Sequence, residues 1–342
     1  MNTPALASQP DGILPCQAIE ALIAGGAVRS ATPFDADQVQ PASLDLRLGD
    51  HAWRVRASFL PGAGRRVSRR LADVTMHKVD LSAGAVLERG CVYIAPLQEA
   101  LSLPPGISAR ANPKSSTGRV DVFVRLLTDH GAAFDDVAEG YCGPLFVEIA
   151  PQTFSILVRA GTRLNQLRLK RGAPGRLSVR DVGVDLTGSV AGFRARRHAG
   201  VVDLDHIEGH DPRDFWEPLE PRRGELLLDP GEFYILASKA AVEIPVLEAA
   251  EMIPIDPSVG EFRVHYAGFF DPGFGVAEAS GLGSKGVLEV RGRETPFLLE
   301  DGQIVARLVF EPLTERPSRL YGEGGSHYQR QGLKLSKHFR AW

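Results

Sequence analysis

Short runs of alternating apolar and polar residues, set off by 36 glycines and 24 prolines, recur along a chain of 342 residues. A period of two puts every second side chain on one face of an extended strand. The pattern predicts strands in Ser43–Asp50 (SLDLRLGD), Cys91–Leu97 (CVYIAPL), Arg163–Lys170 (RLNQLRLK), Glu232–Ser238 (EFYILAS) and Val305–Leu313 (VARLVFEPL). One helix stands out near the start. Pro15 suits a first helical turn, Ile19, Leu22 and Ile23 form an apolar stripe, and Gly25-Gly26 stop it. The fold class read from these signals is mainly β with a few short helices.

The same strands also repeat. Gly84–Leu97 (GAVLERGCVYIAPL) matches Glu225–Ser238 (ELLLDPGEFYILAS) once Gly90 is set against Gly231, an offset of 141. That offset also pairs Tyr93 with Tyr234, Pro104 with Pro245, Glu148 with Glu289, Gly161 with Gly302 and Leu167 with Leu308, with no gap. Two copies of one β domain follow, 1–175 and 176–342. The seam falls in Arg171–Gly200, where RGAPG and GSVAG have linker composition.

Composition narrows the function. Hydrophobic residues make up 44% of the chain, enough for a core, and a net charge of −3 gives no global basic field for nucleic acid. The basic clusters Arg65-Arg66-Val67-Ser68-Arg69-Arg70 and Arg194-Ala195-Arg196-Arg197 read as solvated loops. Three scattered cysteines, Cys16, Cys91 and Cys142, form no CxxC and no disulfide framework, which fits a reducing cytoplasm. The first fifteen residues lack the basic and apolar regions of a signal peptide, and no apolar run is long enough to span a membrane.

One turn concentrates anion-seeking groups. In Ala111–Arg119 (ANPKSSTGR), Asn112-Pro113 ends an extended segment, and Ser115 or Ser116 can then cap a short helix whose free N–H groups attract phosphate. Lys114 adds charge, and Arg119 falls one turn from Ser115. The second copy has Ile255, Asp256 and Gly260 at the positions of Lys114, Ser115 and Arg119, so only the first copy carries the cluster. An ordinary capped turn with exposed charges is the competing reading. Glu148, in GPLFVEIAP, shares an apolar strand face with Phe146 and Ala150, a costly place for a carboxylate. Burial there would raise its pKa toward the range of a proton shuttle, whereas a structural Glu held by Arg or backbone is the alternative.

QPASLDLRLG (Gln40–Gly49), PKSSTGR (Pro113–Arg119), GPLFVEI (Gly143–Ile149), GTRLNQLRL (Gly161–Leu169) and YGEGGSHYQRQG (Tyr321–Gly332) resemble, in this order, the dCTP deaminase family of the trimeric dUTPase-like superfamily, in its long, internally duplicated form. The resemblance implies two tandem dUTPase-like distorted β-barrel or jelly-roll domains, a cytoplasmic homotrimer, and hydrolytic deamination of dCTP to dUTP and ammonia. It implies Glu148 as the proton shuttle that activates water at cytosine C4, with Ser115 and Arg119 at the reacting centre. Lys114, Ser116, Thr117 and Gly118 would meet the triphosphate, with Mg2+ carried in on the nucleotide and no zinc. Thr128, Phe146 and Val147 would lie beside the pyrimidine, and Asp136 would face the sugar. Tyr321, His327 and Gln331 would fold over the phosphates from the tail.

The chain departs from the family pattern at several points. Lys114 stands where the family usually has Arg, and His327 where it usually has Lys. The Asp-Pro-Gly turn is intact only in the second copy, as Phe269–Phe274 (FFDPGF), and the tail belongs to that copy too. A complete site therefore requires the end of the second copy to meet the cluster of the first. His206-Ile207-Glu208 matches half of a zinc deaminase motif, without the CxxC. The polar stretch Asp203–Asp211 reads as a loop. A dUTP diphosphatase, a bifunctional deaminase-diphosphatase, and a non-catalytic nucleotide-binding scaffold are the rival functions.

Overall fold

The computed structural model describes residues 10–173, 175, 177–256, 258, 262–265 and 268–342. The first nine residues of the leader reading, and Gly260, lie outside the described residues. The chain is mainly β, and its α-helices among the described residues are Cys16–Ala24, Val67–Val74 and the single turn Ser115–Gly118.

Each half is built on two sheets. In the first half, one sheet runs Asp136–Val137, Ile107–Pro113, Arg163–Arg171, Ser43–Arg47, Val39–Gln40. The other runs Val122–Thr128, Cys142–Pro151, Val92–Ser102, His51–Val55, Thr75–Asp80. In the second half, Ser178–Gly183, Ile304–Pro312, Glu248–Pro254 and Phe269–Phe270 form one sheet. The other is Trp216–Leu219, Gly192–Ala195, Phe233–Ala241, Lys285–Gly292, Phe262–His265.

Strand registers repeat across the halves. Glu148 lies opposite Ile94, and Glu289 opposite Ile235. Leu167 lies opposite Ala111, and Leu308 opposite Met252. Each pair is related to its counterpart by the offset of 141 found in the sequence. Smaller details repeat as well. The Tyr93 hydroxyl accepts from the Glu88 amide at 3.1 Å, and the Tyr234 hydroxyl from the Asp229 amide at 2.7 Å. Gly90 and Gly231 have φ of 74° and 73°, a left-handed turn that disfavours any side chain.

Two expectations from composition change here. Part of the Arg171–Gly200 seam is regular structure, because Ser178–Gly183 and Gly192–Ala195 are strands of the second half. Glycine-rich GSVAG marks the entry to a strand, not a free linker. The Arg65–Arg70 stretch enters a helix, because Val67, Leu71 and Val74 repeat at helical spacing and pack Val67 and Leu71 into a small apolar cluster. In the other basic run, Arg194 and Arg196 pair with Glu217, and Arg197 with Glu232.

The halves share one core. Phe233, Ile235 and Val287 of the second half pack in the same cluster as Leu44, Val120 and Leu164 of the first. Arg168, fully buried, reaches from the first half to donate to the Ala250 and Phe270 carbonyls at 2.8 and 2.7 Å. Lys170 pairs with Glu311 at 2.5 Å. The C-terminal segment returns to the first half, where Ser336 Oγ donates to the Ser116 carbonyl at 2.8 Å, and Phe339 packs against Phe215 and edge-on against Trp216 of the second half.

Candidate active site

The extended backbone at Lys114 (ψ 145°) breaks into one helical turn, in which the Arg119 amide donates to the Ser115 carbonyl at 3.1 Å. Lys114 occupies the cap position and no side chain caps the turn. The expected serine cap is therefore absent, and both hydroxyls belong to the turn itself. Lys114 Nζ is bonded to the buried Asp45 carboxylate. Ser116, Thr117 and Gly118 are buried, and Ser115 is half-buried.

This turn lines a cavity of about 630 Å³, a volume typical of small-molecule sites. Lys114, Ser115, Ser116, Thr117 and Arg119 form one wall, and Gly118 of the same turn is buried outside the lining. The opposite wall is second-half: Phe269, Phe270, Asp271 and Glu289. Tyr321, His327, Tyr328, Gln331 and Lys337 of the tail close it.

Arg119 is the hub. Its Nη1 donates to Gln331 Oε1 and to the Lys334 carbonyl, both at 3.0 Å, and its guanidinium lies 3.9 Å from the Tyr328 ring centroid. Its Nε stands 4.0 Å from Glu289 Oε1 and has no hydrogen-bond partner. Burial pushes the Glu289 carboxyl up to about 8, with the Arg119 charge offsetting part of that rise. Near neutral pH this group can release a proton as well as hold one. The tail is fixed on the turn by Ser336 Oγ, which donates to the Ser116 carbonyl at 2.8 Å.

Glu148 lies outside this cavity. It faces Arg125 across the strand pair, and Arg125 Nε donates to Oε1 at 3.0 Å. Phe146, Ile94 and Leu127 are buried beneath the Val67–Val74 helix on this sheet. In the first half the strand face is roofed by that helix. In the second half the equivalent residues Ile235, Val287 and Glu289 meet the first half instead. Thr128, Phe146 and Val147 are likewise buried outside the cavity, and Asp136 is exposed on a two-residue strand. At the offset of 141, Thr128, Phe146 and Glu148 correspond to Phe269, Val287 and Glu289, all of which line the cavity. Strand alternation identified the face, but which partner covers a face is a matter of tertiary packing.

Three further residues were not singled out from the sequence. Asp271, in the Asp-Pro-Gly turn, is buried on the cavity wall, and burial raises its carboxyl although Arg168 beside it opposes the rise. Arg168 stacks on Phe269, 4.0 Å from the ring centroid, and so fixes this turn from behind. Lys337 lines the cavity from the tail. The intact FFDPGF and the location of the tail in the second copy were the available signals for Asp271.

Among the described residues no group of three or more His, Cys, Asp or Glu side chains is placed to hold a metal ion. His206 and His210 of the polar loop stand ring to ring, 6.1 Å apart. The three cysteines are free, and no helix is long and apolar enough to cross a membrane.

Residues 10–173 match the model of the 2'-deoxycytidine 5'-triphosphate deaminase N-terminal domain, and 163–339 that of its C-terminal domain. The chain belongs to the dCTP deaminase family. It is an enzyme of nucleotide metabolism, and its two matched regions meet near the junction between the halves. A crystal structure of dCTP deaminase from Agrobacterium tumefaciens is similar at 54% identity and a TM-score of 0.85, over 89% of this chain and 99% of that one. A dUMP-forming dCTP deaminase from Beutenbergia cavernae is 32% identical over 44% of this chain and 74% of its own. A dCTP deaminase from Halorubrum lacusprofundi is 29% identical over 39% of this chain and 64% of its own.

Proposed function

We propose that the cavity between the halves binds dCTP and hydrolyses its exocyclic C–N bond without zinc, with Glu289 as the proton shuttle. The observation that carries this reading is the juxtaposition of a buried carboxyl, held near 8, with Arg119 and the Ser115 turn in one cavity. Glu289 takes a proton from water as the oxygen adds to cytosine C4. It returns protons to the ring nitrogen and the departing amine, so ammonia leaves and a uracil ring remains. Arg119 and Ser115 balance and orient the charge of the tetrahedral intermediate. Asp271 faces the sugar, and Phe269 and Val287 flank the base.

Lys114 and the tail hold the triphosphate, and Mg2+ enters as part of the nucleotide. The two halves are read as tandem dUTPase-like barrels. One chain supplies both walls of the cavity, so this chemistry does not call on a neighbouring subunit within a homotrimer.

The test is ammonia release from dCTP, with chromatography of the products, for the parent, Glu289→Gln and Glu148→Gln. Ammonia with dUTP that disappears only in Glu289→Gln supports the reading. Ammonia with dUMP would add pyrophosphate release to the reaction; several relatives are named dUMP-forming. Turnover that survives Glu289→Gln would overturn the assignment.

A further inference from the structure

A second pair of opposite charges stands two residues past Arg119 and two past Glu289. Asp121 is fully buried just after the Ser115–Gly118 turn, and its amide donates to the Gly118 carbonyl at 2.9 Å. Its carboxylate is bonded to the Arg291 guanidinium of the second half. Arg291 Nη1 also donates to the Gly231 carbonyl at 2.7 Å, and Nη2 to Thr153 Oγ1 at 3.0 Å, while that hydroxyl donates to Asp121. None of Asp121, Thr153 and Arg291 lines the cavity.

The backbone at Asp121 has φ of 55°, the left-handed region where glycine is least strained. A side chain is kept there against that strain, and it is the acceptor for Arg291. The pair does not come from the duplication. At the offset of 141, Asp121 corresponds to Phe262 and Arg291 to Ala150, so the pair occurs only where the two unlike halves meet.

Glu289 and Arg291 belong to one strand, Lys285–Gly292, and a spacing of two puts them on the same face. Arg119 and Asp121 meet them from the first half, so two facing pairs of reversed polarity lie side by side. A slip by one rung would set Arg119 against Arg291, or Asp121 against Glu289, like against like. The Arg119–Glu289 gap of 4.0 Å is too long for a hydrogen bond, and Arg119 Nε has no hydrogen-bond partner. That spacing is therefore set by neighbours and not by the two groups themselves.

We propose that Asp121 and Arg291 are positioning residues: their ion pair pins the strand that carries Glu289 to the turn that carries Arg119 and so sets the separation of the two. This deepens the reading of Glu289 as proton shuttle and rests on it. Neither residue lines the cavity, so both act through Arg119 and Glu289. A displacement of about 1 Å at a reacting group can slow a reaction by about 10²-fold.

Steady-state ammonia release from dCTP tests the proposal in the full-length enzyme, with Arg291→Gln, Arg291→Lys, Glu289→Gln and the double variant of Arg291→Gln with Glu289→Gln. Arg291→Gln is expected to lower kcat about tenfold or more and to change KM less than about threefold, with partial recovery in Arg291→Lys. The double variant is expected to match Glu289→Gln alone within about twofold, because the ion pair acts through the carboxylate already removed. A parental kcat in Arg291→Gln, or losses that multiply in the double variant, overturns the proposal. Should Arg291→Gln fail to fold, Asp121→Gly takes its place with the same expected loss of kcat, since glycine suits the left-handed backbone and the partly exposed Arg291 can turn to water. Turnover that survives Glu289→Gln overturns the proposed reaction and this inference with it. Loss of turnover in Glu289→Gln beside a parental rate in Arg291→Gln overturns this inference alone.

Discussion

Arg119 and Glu289 stand 4.0 Å apart although they belong to different halves of the chain. The glutamate at the same repeat position, Glu148, instead meets Arg125 from its own half. Identical residues in equivalent strands thus have opposite fates: one faces a cavity, and the other is tied up in an internal ion pair.

Glu289→Gln is therefore expected to lower kcat for dCTP by about 10²–10⁴, the usual weight of a general acid–base group. Glu148→Gln should deaminate at close to the parental rate. Its effect is on stability, because removal of the carboxylate strands the Arg125 guanidinium; a loss of about 1–3 kcal/mol in urea unfolding is expected. Parallel kinetics and unfolding curves separate the two.

The pH dependence follows from the direction of the Glu289 shift. Its carboxyl titrates near 8 when folded, against 4.5 ordinarily. Folding therefore favours the protonated form. The contribution to stability is complete below about 4.5 and declines as pH rises toward 8. Activation of water needs the carboxylate, so kcat/KM should climb with a slope of one and level off above about 8. A profile already flat at pH 6 contradicts this assignment.

Arg168 does not line the cavity but fixes the Phe269–Phe274 wall from behind. Arg168→Met removes its bonds to the Ala250 and Phe270 carbonyls and leaves the buried Asp271 without its cation. The cost is expected to be about 3–5 kcal/mol, with a higher KM for dCTP as Asp271 and Phe269 shift. Arg168→Lys should recover little, since one amine does not satisfy two carbonyls and a carboxylate in that geometry.

The C-terminal segment should loosen first in acid. Burial pushes the His338 imidazole down to about 3, and its Nδ1 is buried without a partner. The folded state keeps it neutral while the unfolded chain takes up a proton below about 6.5. Stability from this group is full above 6.5 and declines as pH falls toward 3. Limited proteolysis should clip the tail increasingly below pH 6 in the parent and less steeply in His338→Gln.

Much of this arrangement was legible in the sequence. Period-two alternation located the strands, and the offset of 141 anticipated matched registers such as Ile94–Glu148 and Ile235–Glu289. Lys114–Arg119 was found because unusual polar residues cluster there, and the tail through its resemblance to the family pattern. What the sequence left open was which of two equivalent strand faces meets that cluster. Glu148 and Glu289 have similar local surroundings, and nothing local reveals that the Val67–Val74 helix covers one of them. Lys337 was missed for another reason: a lone lysine in a tail has no pattern until packing brings Lys114 beside it.

Because one half contributes the guanidinium and the other the carboxyl, any hinge between them acts directly on the proposed reacting centre. Small changes at the Lys170–Glu311 or Arg168–Ala250 contacts would alter the spacing of Arg119 and Glu289 without touching either. In a chain built this way, remote substitutions along the seam between the two halves are a natural route by which turnover is tuned.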